Sequence, residues 1–398
     1  MLTIQQIQQH AEAQRDYVVQ TRRTLHRFGE TGGHEIQTNA LICAEAEALG
    51  LPVEQVGCTG LIATLDSGKP GPHIALRADM DALPMQEAPE NLAGPRVCLS
   101  ENPNGFHGCG HDAHTAMLLG AMRILADTRE TLRGVIYFCF EEGEECSRGF
   151  GPMLEALSRR TVDTCWAIHV YAELESGKIC LDPGPRMAGG SKIDITVSGQ
   201  GGHASRPDQT CNPVVCAAAI VTNAAALWAN RMPIGKTVTY GITTIRGGVA
   251  SNIIPDTATI EGTMRFFDAC AGQQAIDLVK ETARHTAALY GCTVSFGKYF
   301  EVASIPVVNN PHYARLAQQA AAAVLPEGAV VSCDPWFGSE SFSRYQERYP
   351  GVMAHLGIAN REKGSGAPHH NARFDVDEDV LPLGVMATLA YVNAVMQA

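Results

Sequence analysis

The sequence predicts an α/β protein: a mixed, largely parallel sheet flanked by helices and interrupted by an inserted ferredoxin-like α+β domain. Three observations predict it. The chain has 398 residues, more than one ordinary core of ~150 residues accommodates. Up to residue 169, strand-like runs alternate with helix-period segments, the pattern of a parallel sheet covered by helices. From Lys192 to Phe296 the order becomes strand, helix, strand, strand, helix, strand, which fits a ferredoxin-like unit. The expected boundaries are 1–185 and 299–398 for the α/β domain and 186–298 for the insertion.

Taken in order, residues 4–28 place Ile4, Ile7, Val18 and Leu25 at helical spacing, and Gly32-Gly33 breaks the pattern. A helix over 38–49 stops at Gly50. The runs 61–65 and 74–78 read as strands of a hairpin joined by a Gly/Pro-rich loop, the second ending in Asp79-Met80-Asp81. Met117, Leu118, Ala121, Ile124 and Leu125 mark a helix over 112–126 with an acidic residue near its start. The strand 135–140 runs into Glu141-Glu142-Gly143-Glu144-Glu145, and a buried strand over 165–169 ends in His169. In the insertion, strands are expected at 192–197, 237–246, 257–267 and 292–296, with helices at 211–229 and 273–290. An Ala-rich helix over 314–324, an apolar run over 352–357 and a final helix over 380–395 complete the chain.

Composition excludes several classes. Hydrophobic residues at 45% and charged residues at 18% describe a globular chain with a core to bury, not a disordered or fibrous one. The net charge of −12, with no Lys/Arg run, disfavours a nucleic-acid or anionic-membrane partner. The N-terminus lacks the order of a signal peptide, and no stretch is expected to span a bilayer, so a cytoplasmic location is expected. The 13 cysteines are odd in number, scattered, and never spaced Cys-x-x-Cys, which argues against a disulfide framework. Cys139, Cys165 and Cys216 sit in apolar runs and read as small core residues.

Cys109 is different. It stands between two glycines, two residues before His111, in the stretch Gly105 to Thr115 that also holds His107, Asp112 and His114. A loop with that spacing can present sulfur and nitrogen to one ion, and a thiolate can bridge two; such ligands suit Zn, Mn, Ni or Co better than Mg or Ca. Adjacent carboxylates at a strand end are costly to bury together, so Glu144-Glu145 fit one metal ligand and one proton carrier, or else a solvated acidic loop. His169 fits a satisfied core histidine or a ligand. His370 lies in a loop beside His369, where either reads equally as a surface residue. Each candidate falls at a sheet end or an adjoining loop, where a single cleft collects them.

The chain resembles the M20 family of metallopeptidases and amidohydrolases, and within it the hippurate hydrolase and auxin-conjugate hydrolase branch. The residues that carry the resemblance are 22–26, 76–84, 109–115, Glu144-Glu145, Ile168-His169, 199–207, 247–256 and 370–374. The resemblance implies two divalent metal ions per subunit, Mn foremost with Zn, Ni or Co as alternatives, bridged by Cys109. One metal would add His111 and His169, the other Glu145 and His370. Glu144 would be the general base. The insertion would act as lid and dimerisation surface, making a homodimer in which His203 reaches the partner subunit's site. Asn252 and Arg265 match positions that bind a substrate carboxylate; on sequence alone Asn252 also fits a turn residue and Arg265 a solvated strand position.

The implied reaction is metal-assisted hydrolysis of N-acyl amino acids, with a dinuclear dipeptidase or exopeptidase and a non-catalytic binding homologue as alternatives. Asp81 and Asp112 are candidates to orient the ligating imidazoles. Three departures stand out. The run Phe140 to Glu145 creates two Glu-Glu pairs where relatives have Gln-Pro-Ala before one. Ser341 replaces the aspartate of the usual Ser-Glu-Asp-Phe, and the N-terminal Arg-x-x-Pro-Glu pattern is altered to Arg27-Phe28-Gly29-Glu30.

Overall fold

The strands Val135–Glu141, His73–Asp79, Thr164–Glu175 and Gly351–Ala359 lie side by side, all parallel, at the centre of an eight-stranded sheet. They read as nearly unbroken apolar runs because both of their faces are covered, leaving no solvent side to call for alternation. The computed structural model describes residues 1–398. This sheet belongs to a unit made of Met1–Gly184, Val308–Asp334 and Arg344–Ala398; Pro185–Val307 and Pro335–Ser343 form a second unit.

The antiparallel strands Gly60–Asp66 and Val53–Val56 extend one edge of the large sheet. Residues 61–65 and 74–78 do not form the expected hairpin. Val135–Glu141 lies between them, antiparallel to the first and parallel to the second. That strand is buried from Ile136 to Glu141, and its backbone groups need a partner on each edge, which two adjacent strands supply. The strand expected over 165–169 continues to Glu175, since its pairing with Gly351–Ala359 carries on past His169.

The helix His111–Asp127 packs on the central strands His73–Asp79 and Thr164–Glu175, and Leu381–Gln397 packs against it. Both are buried almost all round, through Met117, Leu118, Leu125, Val385, Leu389 and Val392 among others. Register sets the functional level. Asp79 is opposite Glu141, Arg77 is opposite Ala167, and His355 is opposite His169. Asp79, Glu141 and His169 therefore line up at or beyond the carboxyl ends of the parallel strands, where ligands bind in open α/β sheets.

In the second unit, Val238–Gly247, Thr257–Phe266, Gly189–Ser198 and Thr293–Phe296 form, in that spatial order, an antiparallel sheet. Helices Pro213–Arg231 and Ala269–Leu289 bury Ile220, Ala224, Ile276 and Val279 against its Ile193, Ile195, Ile260 and Met264. Strand and helix order follow the βαββαβ pattern. The unit continues past residue 298 to Val307 and takes in Pro335–Ser343.

Contrary to the expectation that no stretch has the length and composition of a membrane span, Pro213–Arg231 and Glu378–Gln397 both do. Each has a packing role instead: 78% of the second is buried inside its unit, and the first lays Cys216, Ala217 and Ile220 on its sheet.

Buried Asp377 ties three segments together. Its carboxylate accepts from Ser176 Oγ at 2.6 Å, Asn360 Nδ2 at 3.0 Å and Lys363 Nζ at 3.1 Å. Burial opposes its charge, but these donors outweigh burial and hold the carboxyl below its usual range. A depressed carboxyl stabilises the fold in full above the unfolded value of ~3.9 and loses that contribution as pH falls through the folded value. Asp377→Asn is therefore expected to cost ~2 kcal/mol at pH 7. In urea titrations its deficit relative to wild type narrows below about pH 4.

Candidate metal centre

The site is assembled from three loops and one strand of the first unit. Gly110 is the N-cap of the helix His111–Asp127, with φ of 89°. A Cβ there would lie 2.4 Å from Val170 Cγ2, so only glycine lets the loop close down on the sheet. Cys109 is thereby held just ahead of a helix N-terminus, whose partial positive charge favours a thiolate. His370 N–H donates to Gly108 O at 2.9 Å, joining the loop of His370 to that of Cys109. His370 takes the left-handed conformation at φ 61°, uncommon for a side-chain-bearing residue and concentrated at functional sites.

Of the two glutamate pairs, the first is committed elsewhere. Glu141 is fully buried, accepting from Arg77 Nε at 3.1 Å and Tyr345 OH at 2.6 Å. Glu142 accepts from the amides of Cys58, Thr59 and Gly60 and from Thr59 Oγ. Gly143, at φ 55°, turns the chain, and its N–H donates to Glu35 at 2.7 Å. Glu144 and Glu145 follow, half-buried, their amides donating to Asp81 Oδ1 and Oδ2, each at 3.1 Å.

The structure brings Cys109, His111, Glu144, Glu145, His169 and His370 together. Donor atoms of Cys109, His111 and His169 lie within 4.8 Å of one another, as do those of Cys109, Glu145 and His370 and those of His111, Glu144 and Glu145. Cys109 is common to the first two sets. A further set, Asp79, His111 and His114, has the same spacing. His114 is spent, however: Nδ1 donates to Asp79 Oδ1 at 2.6 Å and Nε2 accepts from Val170 N–H at 2.9 Å.

The donors fit a cation. His111 Nδ1 is 3.1 Å from Asp81 Oδ1, while its buried Nε2 has no hydrogen-bond partner. His169 donates Nδ1–H to Val170 O at 2.6 Å, which turns the Nε2 lone pair toward Cys109 Sγ, 3.6 Å away. Two ligands of a tetrahedral ion, with metal–S ~2.3 Å and metal–N ~2.05 Å, are about 3.5 Å apart. His370 Nε2 and Glu145 Oε1 are 3.2 Å apart.

Electrostatics agree. Burial, then the Glu145 charge, hold the Cys109 thiol well above its ordinary value, so a cation is what its ionisation calls for. Burial likewise raises the carboxyl of Asp81, with Glu145 and Asp79 adding to the repulsion. Burial disfavours the charged form of His111, but Asp79 and Asp81 prevail and raise its pKa. For His169, burial and the neighbouring His114 ring keep the imidazole neutral, the form that ligates.

Asp112 does not orient a ligating imidazole. Its carboxylate meets Arg22 Nε at 2.8 Å and His26 Nδ1 at 2.7 Å, because the helix turn that aims His111 at the site aims Asp112 at the Arg15–Phe28 helix. His107 is buried with neither ring nitrogen hydrogen-bonded, and burial pushes its pKa down to about 3. Glu35 and His369 escape a reading by motif, and Asp79 lies in the stretch 76–84 with no role assigned by it. The one signal was Arg77-x-Asp79-x-Asp81, charges alternating out of an apolar strand.

His203, Asn252 and Arg265 lie in the second unit. His203 is exposed on a two-residue strand opposite Ile253, next to Asn252, whose carbonyl accepts from Ala204 N–H at 3.1 Å. Its Nδ1 accepts from Ser205 N–H at 3.1 Å. Arg265 is half-buried and donates to Met264 O at 3.0 Å; burial lowers its pKa. It stands opposite Gly190, whereas Thr257, near Asn252, stands opposite Ser198. Eight strand residues separate those ends, about 26 Å. At the Ser341 departure, the Glu340 carboxylate accepts from Phe342 N–H at 3.0 Å.

A thiol, imidazoles and paired carboxylates on the carboxyl ends of a parallel sheet make the donor set of a divalent-metal site. Residues 75–394 match the model of peptidase family M20/M25/M40, and the chain belongs to that family. Thermostable carboxypeptidase 1 of Saccharolobus solfataricus is 34% identical over 94% of this chain and 93% of its own. IAA-amino acid hydrolase ILR1-like 2 of Arabidopsis thaliana is 34% identical, covering 93% and 83%. N-acetylcysteine deacetylase of Bacillus subtilis is 32% identical, covering 92% and 93%. Among solved structures, the Bacillus subtilis YXEP protein, a dinuclear metal binding peptidase from the M20 family, superposes with TM-score 0.82 at 29% identity, over 97% of this chain and 99% of that one. The protein is a hydrolase acting on amide bonds.

Asp81→Asn keeps the shape of the carboxylate but puts an N–H donor against one of the donors it faces. It is expected to lower divalent-metal affinity about 10–100-fold, read by competition with a chelator.

Proposed function

We propose that the protein hydrolyses the amide bond of N-acyl amino acids, releasing a carboxylic acid and a free amino acid. One observation carries this reading: two donor sets share Cys109, with Glu144 beside them. The names of two relatives, IAA-amino acid hydrolase and N-acetylcysteine deacetylase, describe amides of that kind. Cys109, His111 and His169 would hold one divalent ion, and Cys109, Glu145 and His370 a second, with Mn foremost and Zn, Ni or Co as alternatives. Such ions supply Lewis acidity, acidifying water and polarising a carbonyl oxygen.

The residues of the chain do the rest. Glu144 takes the proton of the attacking water and delivers it to the amine as the carbon–nitrogen bond breaks. Asn252 and Arg265 hold the substrate carboxylate, and His203 steadies the oxyanion. A single small substrate cannot span the ~26 Å between the strand ends near His203 and Arg265 in one chain, which supports two subunits contributing to each site. We take the protein to be a cytoplasmic homodimer joined through residues 186–298. The charge of −12 speaks against nucleic-acid or anionic-membrane partners.

A second reading, a peptidase of the same centre, is favoured by the carboxypeptidase relative. Rates on N-acetyl and N-benzoyl amino acids against free-amino dipeptides separate the two, and faster dipeptide cleavage would reverse the assignment. Glu144→Gln is expected to retain bound metal while kcat falls about 10²–10⁴-fold; near-normal turnover would remove Glu144 as base. Mixing inactive Glu144→Gln and His203→Ala subunits should recover about a quarter of wild-type activity, since half the dimers then carry one intact site. No recovery after verified exchange would rule out a shared site.

A further inference from the structure

Two imidazoles face the sulfur of Cys109 at nearly equal distance and with opposite chemistry. His169 Nε2 is 3.6 Å from Sγ, and His369 Nδ1 is 3.7 Å from it. On each ring the far nitrogen settles where the proton sits. Val170 O only accepts, so His169 carries its proton on Nδ1 and turns a lone pair toward the sulfur. Ala172 N–H only donates, and it reaches His369 Nε2 at 3.1 Å, so the neutral His369 ring carries its proton on Nδ1 and turns an N–H toward the sulfur.

The His369 ring has little freedom to turn. Tyr171 stacks on it at 6.2 Å and 16° between planes, Phe374 lies at 4.9 Å, and the next residue is tied by its backbone to Gly108. A hydrogen-bond donor so held cannot be a sixth ligand. It is placed as metal-ligating groups are commonly supported, by a hydrogen bond from outside the coordination sphere.

We propose that His369 is a positioning residue whose Nδ1–H donates to the Cys109 thiolate, directing the sulfur lone pairs and tempering their donation to metal. The inference rests on the reading of Cys109 as a metal ligand. A charge-assisted bond of this kind orients a sulfur that is otherwise free to rotate about Cα–Cβ. It also makes the thiolate a weaker electron donor without displacing it.

The test uses the full-length protein loaded with Co²⁺ and reads the thiolate-to-cobalt charge-transfer band together with Co²⁺ affinity. His369→Phe keeps a flat ring between Tyr171 and Phe374 but has no donor. The band is expected to move to longer wavelength as the sulfur becomes the stronger donor, and Co²⁺ binding to weaken about 10–100-fold because the loss of lone-pair direction outweighs that gain. His369→Asn, whose amide N–H falls near the Nδ1 position, is expected to recover most of both changes. His369→Leu carries the same test should circular dichroism show that the phenyl variant does not fold. An unmoved band in the donor-less variants overturns the inference, and so does an equal loss of affinity in all three. A wild-type band that Cys109→Ser abolishes, yet His369→Phe leaves in place, overturns the inference alone. A wild-type protein with no thiolate band overturns the reading of Cys109 as well.

Discussion

One buried carboxylate holds the centre in register. Asp81 meets His111 Nδ1 from the helix and accepts the amides of Glu144 and Glu145 from the loop after Val135–Glu141. A single side chain thus aims one imidazole and fixes the backbone that carries both glutamates. Its own charge is disfavoured by burial and by Glu145 and Asp79. Repulsion of that kind is what a bound cation relieves, so the anionic scaffold and the affinity for metal are one electrostatic fact.

Around that core, histidines divide the labour by their far nitrogens. His111 and His169 each engage Nδ1 with an oxygen and turn Nε2 inward. His114 and His369 each accept a backbone N–H on Nε2 and carry the proton on Nδ1, the first toward Asp79 and the second toward Cys109. His26 spans Asp112 and Glu87 and belongs to a buried ionic network with Arg22, Arg96 and Asp375. That network joins the Arg15–Phe28 helix, the start of the His111–Asp127 helix and the segment before the last helix. Breaking one partner would strand a buried charge, at about 3–5 kcal/mol.

Much of the architecture was legible because local patterns and tertiary roles agree. Alternating strands and helices up to His169, and the βαββαβ order after Lys192, follow from apolar periodicity. The hairpin misreading at 61–78 shows where periodicity stops: it marks a strand but says nothing of which strand lies beside it. Val135–Glu141 enters between the two because it needs two neighbours. The glutamate pairs show the same limit. Glu141-Glu142 and Glu144-Glu145 look alike in the chain, and only Arg77, Tyr345 and the amides of Cys58 to Gly60 take the first pair out of reach.

By itself the sequence determined the inventory of the site: a thiol between glycines, imidazoles and paired carboxylates at strand ends, residue types whose donor chemistry is intrinsic. It also determined the two-part architecture, since hydrophobic period is a local property. The tertiary structure alone decided which of equivalent groups are free to act. Whether a histidine offers a lone pair or a proton depends on the backbone group behind it, and whether a glutamate is a ligand or a strut depends on the donors around it. Those partners stand up to 260 residues away, as His369 does from Cys109, and no local pattern records them.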